Sequence, residues 1–592
     1  MDKVKQEIQN ILVAFGVKGE IELTVPPNLD MGDFSFPCFS LAKERGMSPV
    51  KLAEEIAVAT GMSHGPYRKT TNSGTELVRF PGTNPLLNGA INYVDSVEAF
   101  GPYVNFYLNS GKVADVVIKE IIKKGKKYGV NNSGKGKKVL IEYPSNNTHK
   151  EFHIGHFRNV CMGNALVHLY EQNGYKVYPV NYLNDFGNHV AKCLWGLLKF
   201  HKDEKPPANQ QKWLGEIYAE ASAKLKENPD FAPEVAEVQR QLESHDKKLW
   251  PLFIKTRQWS IDQFAKIFKD LGVKHKAVFY EKDLKAKGQK MVDDLLKKGI
   301  ATVGEGGAII IDLSQYNLDV ALLRKSNGAG LYLTSDLPLA MEKFKKCNAD
   351  ESIVITGIEQ NLYFKQLYKI LELMGFKKKL THIGYGLINL KEGKMSSRFG
   401  NVILYEDLYV DIYESLKTES AQRHTDWSDK KISANTKILA LAALKFDMQK
   451  HEANKNIVFD AKEATSVEGF SGPYVLYVVA RINSMLSKAN SKSQIAKSKF
   501  ELLDKPEEKQ LVLWLGKYEE TVKKALAEYN PSVITRYCFD LAQAFNNFYN
   551  NCSILKAETK DLMSARLSLS MATKNVLESA LGLLTIDTVE EM

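Results

Sequence analysis

The chain has 592 residues, 44% hydrophobic and 25% charged, with a net charge of +10; that is enough for about three or four domains with sizeable cores, and it excludes a disordered or fibrous chain. The excess of 80 basic over 70 acidic residues suits a polyanionic partner but is no polybasic tail. Six cysteines scattered without a CxxC argue against a disulfide framework or a thiolate zinc site, and for a reducing compartment.

In chain order, Val4, Ile8, Ile11, Leu12 and Phe15 recur at helical spacing with Asp2 and Glu7 among them, which predicts an amphipathic helix rather than a signal or transit peptide. Pro26 to Phe34 is rich in turn formers, Ala42 to Thr60 has a helical period, and Tyr103 to Leu108 alternates like a strand. Residues 1–125 therefore read as a small α+β domain, and the Gly-, Lys- and Asn-rich stretch from Lys123 to Lys138 as a linker. Next come a β-rich run (Lys138 to Tyr143), a turn (Pro144 to His149), a helix from His156 to about Asn173 capped by Gly174, and a strand from Val177 to Leu183. Strand, helix, strand is a βαβ unit, hence a parallel sheet that binds ligands at its strands' C-terminal ends. Trp195 to about Gly299 reads as mostly charged helix inserted into that sheet, and Ala308 to Leu313 and Ser352 to Gly357 as strands that resume it. From about Glu406 the pattern is helix after helix, with Leu541, Phe545 and Phe548 on one core stripe. The longest apolar run, Ile438 to Leu444, is too short for a bilayer, so no membrane is expected and the location reads as cytoplasmic. His189 and Cys193 could share a helix face, but with no second ligand pair no protein-bound metal is expected.

Two short stretches carry chemistry. In Lys150-Glu151-Phe152-His153-Ile154-Gly155-His156, the two imidazoles sit where a strand gives way to a helix. Backbone N–H groups and the helix dipole favour phosphate there, the rings can donate to charge growing on an α-phosphate, and Gly155 leaves room for adenine against the backbone. The second stretch, Gly393-Lys394-Met395-Ser396-Ser397-Arg398, is a short loop whose cations can swing onto pyrophosphate. Each string alone is a weak signal. In this order on a βαβ background, they point to ATP-dependent adenylation.

The two stretches resemble the HIGH and KMSKS signatures of class I aminoacyl-tRNA synthetases. Their flanks resemble the arginyl-tRNA synthetase family over nearly the whole chain: Glu142-Tyr143-Pro144-Ser145-Asn146-Asn147-Thr148-His149-Lys150, Leu323-Arg324-Lys325-Ser326-Asn327-Gly328, Leu331-Tyr332-Leu333-Thr334-Ser335-Asp336, Gly357-Ile358-Glu359-Gln360 with Phe364, Phe470-Ser471-Gly472-Pro473-Tyr474, and Gly101-Pro102-Tyr103-Val104-Asn105-Phe106. The resemblance implies an α/β, Rossmann-like parallel-sheet catalytic domain (126–405) with a mostly helical insertion at about 195–300, an N-terminal α+β domain (1–125) touching the D-loop corner of tRNA, and a C-terminal all-α bundle (406–592) reading the anticodon.

It further implies ATP with magnesium on its phosphates, L-arginine and arginine-accepting tRNA as substrates, a monomer, activation that needs bound tRNA, and no editing domain. His153, His156, Lys150 and Lys394 would be catalytic. His153, Gly155, His156, Lys394, Met395 and Ser396 would hold ATP. Glu142 and Asp336 would face the guanidinium beside Tyr332, since a planar fork of donors calls for carboxylates, and Asn147 and Gln360 would hold the amino-acid end. Asn109, with Tyr103, would touch the tRNA corner, and Tyr474, Tyr477 and Arg481, on one helix face, the unpaired anticodon bases. The chain departs from the family pattern in carrying Ser397 in place of the second signature lysine, a loss Lys150 would offset, and in ending Glu591-Met592. Rival readings are another class I synthetase, a nucleotidyltransferase, or a catalytically silent paralogue serving as an RNA-binding module. The missing zinc-ligand cysteines, the long helical C-terminal region, and the intact His153, His156 and Lys394 weigh against each in turn.

Overall fold

The computed structural model describes residues 1–592 apart from 20, 27–30, 63–66, 72–73, 79–90, 392–402 and 490–497, and for the strands within 67–78 it describes the backbone alone. The chain divides into two units. One holds Met1–Tyr128, Arg481–Tyr518 and Asp540–Leu577; the other holds Gly129–Ala480, Glu519–Phe539 and Glu578–Met592.

The first unit begins with α1 (Asp2–Ala14), which buries the predicted Val4, Ile8, Ile11 and Leu12. β1 (Phe34–Pro37) follows. The helix expected over 42–60 is two helices, α2 (Phe39–Arg45) and α3 (Pro49–Ala59). Gly46 takes a left-handed φ of 65° that ends α2, and Pro49 opens α3 without a donor to lose. A hairpin of β2 (Tyr67–Thr71) and β3 (Gly74–Val78) precedes β4 (Val94–Phe100) and β5 (Tyr103–Leu108). β1, β5 and β4 form an antiparallel sheet with β5 in the middle. Asn109 caps α4 (Ser110–Lys124) by accepting the Lys112 N–H at 2.9 Å.

The second unit is built on a parallel sheet. Its strands are β6 (Lys138–Glu142), β7 (Lys176–Leu183), β8 (Ala277–Tyr280), β12 (Glu351–Gly357) and β13 (Lys379–Tyr385), in the order β13-β12-β6-β7-β8. Helix α5 (Ile154–Gln172) joins β6 to β7 and is buried on nearly every side. Its Gly163 is obligatory, because a Cβ there would stand 2.2 Å from the Tyr143 ring.

The insertion comprises α6 (Asn188–Phe200), α7 (Gln210–Glu227), α8 (Ala232–Glu243), α9 (Leu249–Asp270) and α10 (Lys285–Lys297). Trp195, Trp213, Leu214 and Phe253 are among the residues of its own core. Two expectations are corrected. Edge strand β8 comes from within the stretch read as an inserted helical segment. The run expected at 308–313 is β10 (Ile309–Asp312), which lies outside the parallel sheet: it pairs antiparallel with β9 (Thr302–Val303) and β11 (Val320–Arg324) in a separate small sheet.

Helix α11 (Tyr332–Cys347) leads into β12, and α12 (Asn361–Leu373) joins β12 to β13. β14 (Ile388–Leu390) follows, then α13 (Tyr405–Arg423), α14 (Asp429–Gln449), β15 (Ile457–Phe459) and α15 (Ala461–Thr465). β15 pairs in parallel with β14, a short strand inside the stretch read as all helix. The remaining helices are α16 (Gly472–Lys488), α17 (Pro506–Gly516), α18 (Tyr518–Ala527), α19 (Ser532–Asn551) and α20 (Lys560–Leu583). In the first unit, Arg566 of α20 donates to Glu508 of α17 at 2.6 Å, with both side chains buried.

The chain runs from β6 to β7 on one side, and the sheet is later extended from β6 by β12 on the other. That reversal leaves a crevice beyond the C-terminal ends of β6 and β12, where open α/β sheets bind ligands.

Candidate active site

A cavity of about 510 Å³ occupies that crevice, a volume suited to a small ligand. One end is made by four adjacent residues. His153 caps α5, its Nδ1 accepting the Gly155 N–H at 3.1 Å, and His156 Nδ1 accepts the His153 N–H at 3.3 Å. The rings stack with centroids 3.7 Å apart. With each Nδ1 lone pair used, the ring proton sits on Nε2, so each imidazole offers an N–H donor. Burial pushes His153 down to about 4, and it drives His156 well below the usual histidine value, with Lys150's charge adding to both. The pair is therefore neutral at pH 7. A Cβ on Gly155 would lie 3.0 Å from the His153 ring, so this glycine keeps the imidazole in place. Lys150 is near but outside the cavity lining, its Nζ 4.8 Å from the centre of the Tyr218 ring.

The other end collects acids from separate elements. Glu142, the last residue of β6, is buried with Oε2 2.6 Å from Lys343 Nζ of α11, and its Oε1 accepts from Ser145 Oγ at 3.3 Å. Asp336, in the second turn of α11, accepts the phenol of Tyr363 from α12 at 2.5 Å. Burial raises Asp336 to about 7; the Glu142 charge adds to this, and Tyr363 and Lys343 oppose it. Glu281, which follows β8 directly, is close to Asp336 but not among the lining residues, and burial, with Asp336 and Asp185 nearby, raises it to about 8. Its Oε2, like the hydroxyl of Tyr182, is buried with no hydrogen-bond partner among the described residues. Buried polar atoms are nearly always paired, so the Tyr182 hydroxyl, which lines the cavity, points to a partner supplied by a ligand.

Glu142, Asn147, His153, His156, Tyr332, Asp336 and Gln360 all line this one cavity. Lys394, Met395 and Ser396 lie outside the described residues. The sequence reading missed Glu281, Lys343, Tyr363 and Tyr182. Lys343 was within reach, seven residues after Asp336 and hence on the same helix face. Glu281 carried no local signal, as one acid in a charged stretch. Among the described residues no group of three or more His, Cys, Asp or Glu is placed to hold a metal, and no helix is long and apolar enough to cross a membrane.

Residues 117–461 match the family described as "tRNA synthetases class I (R), catalytic domain". The chain belongs to the arginyl-tRNA synthetase family. Residues 2–75 match the "Arginyl tRNA synthetase N terminal domain" and 475–592 the "DALR anticodon binding domain". Curated arginine–tRNA ligases are similar along their whole length. That of Clostridium perfringens is 33% identical, covering 100% of this chain and 98% of its own, and that of Treponema denticola 31%, covering 97% and 95%. The solved arginyl-tRNA synthetase of Thermus thermophilus shares the fold over 100% of both chains, with a TM-score of 0.78 at 23% identity. The activity that goes with this membership is ATP-driven ligation of arginine to tRNA, and nothing observed favours a silent paralogue.

In this arginyl-tRNA synthetase the residues expected to touch tRNA differ in exposure and packing. Asn109 is spent as a cap, and its amide also donates to Asp95 at 2.9 Å. Tyr103 is 37% exposed and packs edge-on against Phe39, which is itself exposed, as is Phe100. On α16, Tyr477 is exposed, whereas Tyr474 is half-buried beside Phe539, 5.3 Å between ring centres. The Arg481 guanidinium donates to Asn546 at 2.7 Å and lies 4.9 Å from the Tyr549 ring centre.

Proposed function

We propose that the cavity binds ATP at its histidine end and arginine at its acid end, and joins them there. The observation that carries this reading is the pairing, in one crevice, of neutral imidazole donors at a helix N-terminus with a set of under-ionised acids. The arginine carboxylate attacks the α-phosphate and pyrophosphate leaves, giving arginyl-adenylate. The 2′-OH of the tRNA's terminal ribose then attacks the carbonyl of that mixed anhydride and AMP leaves.

The Nε2–H groups of His153 and His156 donate to the oxygens on which charge grows, where a fixed donor is worth most. Lys150, with Lys394 from the second signature, neutralises phosphate. Gly155, Met395 and Ser396 complete the nucleotide's surroundings. Asp336 and Glu142 face the guanidinium with Tyr332 beside them and Glu281 outside the lining, and Asn147 and Gln360 hold the amino and carboxylate groups. The histidine end carries neutral donors rather than carboxylates, which suits magnesium carried in on the nucleotide's phosphates, where it would offset their charge.

Residues 1–125 act as the tRNA-corner module, with Phe39, Phe100 and Tyr103 as its stacking surface and Asn109 shaping the loop. Residues 126–405 form the catalytic domain, and 406–592 the anticodon reader through Tyr474, Tyr477 and Arg481. The enzyme works as a cytoplasmic monomer.

Pyrophosphate exchange into ATP, with L-arginine and with or without arginine-accepting tRNA, tests the reading. Exchange that needs tRNA supports both the identity and its coupling to tRNA, and exchange without it keeps the identity alone. Exchange with a different amino acid, or with none, overturns the assignment.

A further inference from the structure

Asp336 and Lys343 lie on one face of α11, about two turns apart. The Lys343 side chain is 6% exposed and pairs at 2.6 Å with Glu142, itself 4% exposed. A pair this buried gains little stability, because desolvation roughly cancels the attraction and apolar residues of the same volume do as well. The surroundings of Asp336 give the lysine a reason. Glu142 faces Asp336 from β6, Tyr363 from α12, Tyr182 from β7 and Glu281 from the segment after β8, while Lys343 brings the opposing positive charge.

The oxygens differ in what they hold. Glu142 has both engaged, by Lys343 and by Ser145. Asp336 holds one phenol, and Glu281 Oε2 holds nothing among the described residues. A guanidinium presents its donors as a rigid planar fork and needs oxygens free to receive it.

We infer that Lys343 is a positioning residue for specificity: it commits Glu142 to itself, so that Asp336 is left to grip the guanidinium, with Glu142 a charge beside it in the cavity wall. This rests on the arginine reading of the cavity. Without Lys343, Glu142 and Asp336 would be like charges in one desolvated pocket, which do not ionise together. Asp336 would then keep its proton to higher pH, and arginine would meet a neutral acid.

The test is aminoacylation kinetics for arginine between pH 6.5 and 9, on the full-length enzyme with Lys343→Met, Lys343→Arg and the double variant Glu142→Gln/Lys343→Met, with thermal unfolding as a check on folding. Lys343→Met is expected to raise KM for arginine at pH 7 by about tenfold or more, the equivalent of one pKa unit or more, with the loss shrinking as pH rises and KM for ATP within about twofold of the unaltered enzyme. Lys343→Arg keeps the original profile. The double variant recovers arginine binding to within about tenfold of the unaltered enzyme, because both Glu142 oxygens are already taken by Lys343 and Ser145.

An unmoved pH profile in Lys343→Met, or a double variant no better than Lys343→Met, overturns the inference. If Lys343→Met does not fold, the double variant decides alone: a KM for arginine within about tenfold supports the inference and a larger one sinks it. An unaltered enzyme that charges no arginine removes the reading of the cavity itself, whereas disagreement confined to the variants removes only the role of Lys343.

Discussion

The two ends of the cavity are opposites in construction and in charge. The histidine end comes from residues 153–156, held by hydrogen bonds between rings and adjacent backbone. The acid end takes Glu142 from β6, Asp336 from α11 and Tyr363 from α12, with Lys343 of α11 and Glu281 from beyond β8 close by but outside the lining. Burial pushes the bases down at one end and the acids up at the other, so the pocket resists net charge of either sign on its own. The histidines meet that condition as dipoles that stay neutral at pH 7. The acids hold latent charge that rising pH or an incoming cation releases, and that makes this end selective.

The comparison breaks first at Asp336. Asp336→Asn keeps the shape and an acceptor for Tyr363 but removes the charge, and removing one partner of a buried pair is worth about 3–5 kcal/mol. Pyrophosphate exchange across arginine concentrations should show kcat/KM down by about a thousandfold, and a loss under about tenfold would remove the acid end from the guanidinium. The histidine end is tested by His153→Ala. Loss of one donor to developing charge lowers kcat by about a hundredfold or more, with KM for arginine nearly unchanged. Comparable changes in both constants would mean that the two ends are not separate devices.

pH sharpens the contrast at smaller scale. Asp336 and Glu281 ionise near 7 and 8, well above an ordinary carboxylate near 4. Arginine needs the ionised forms, so its KM should fall as pH rises toward 8, by at most about tenfold per unit for each proton released, and level off above. Stability of the free enzyme runs the other way. A group whose pKa is raised by folding stabilises the fold fully below its unfolded value, and that contribution is lost as pH rises through the folded value. The protection arginine gives against thermal unfolding should therefore be larger at pH 8.5 than at pH 6, and equal protection at both would refute the latent-charge picture.

Legibility followed the same division. The histidine end and the strand–helix–strand frame over 138–183 were readable because their determinants are consecutive residues. Seven expected side chains line the cavity, including acids at Glu142 and Asp336, but their charge states depend on Lys343, Glu281 and Tyr363, which sit far away in sequence. Strand β8 was hidden because four residues between charged helices carry no usable period. Ile309 to Asp312 looked like a parallel core strand because an apolar run does not name its partner, and its partner proved to be an antiparallel neighbour. The break at Gly46 and Pro49 was written in the sequence, where helical spacing outweighed it.

The smallest effect expected is at Gly155, and it separates geometry from stability. Gly155 has no positive φ, so alanine fits the backbone there, and in a helix alanine is favoured over glycine by up to about 1 kcal/mol. The new Cβ would nonetheless stand 3.0 Å from Cε1 and Nδ1 of His153, so the ring must move by a few tenths of an ångström. A donor preorganised toward developing charge loses effect when displaced, and a full 1 Å misplacement can cost about a hundredfold. Gly155→Ala should therefore lower kcat by about threefold to tenfold, leave KM for arginine alone and unfold no earlier than the unaltered enzyme. A variant that unfolds earlier would show that the glycine serves the helix start. An unchanged kcat would show that the ring has slack, and that the hydrogen bonds between ring and backbone do not hold the histidine end as tightly as its local construction implies.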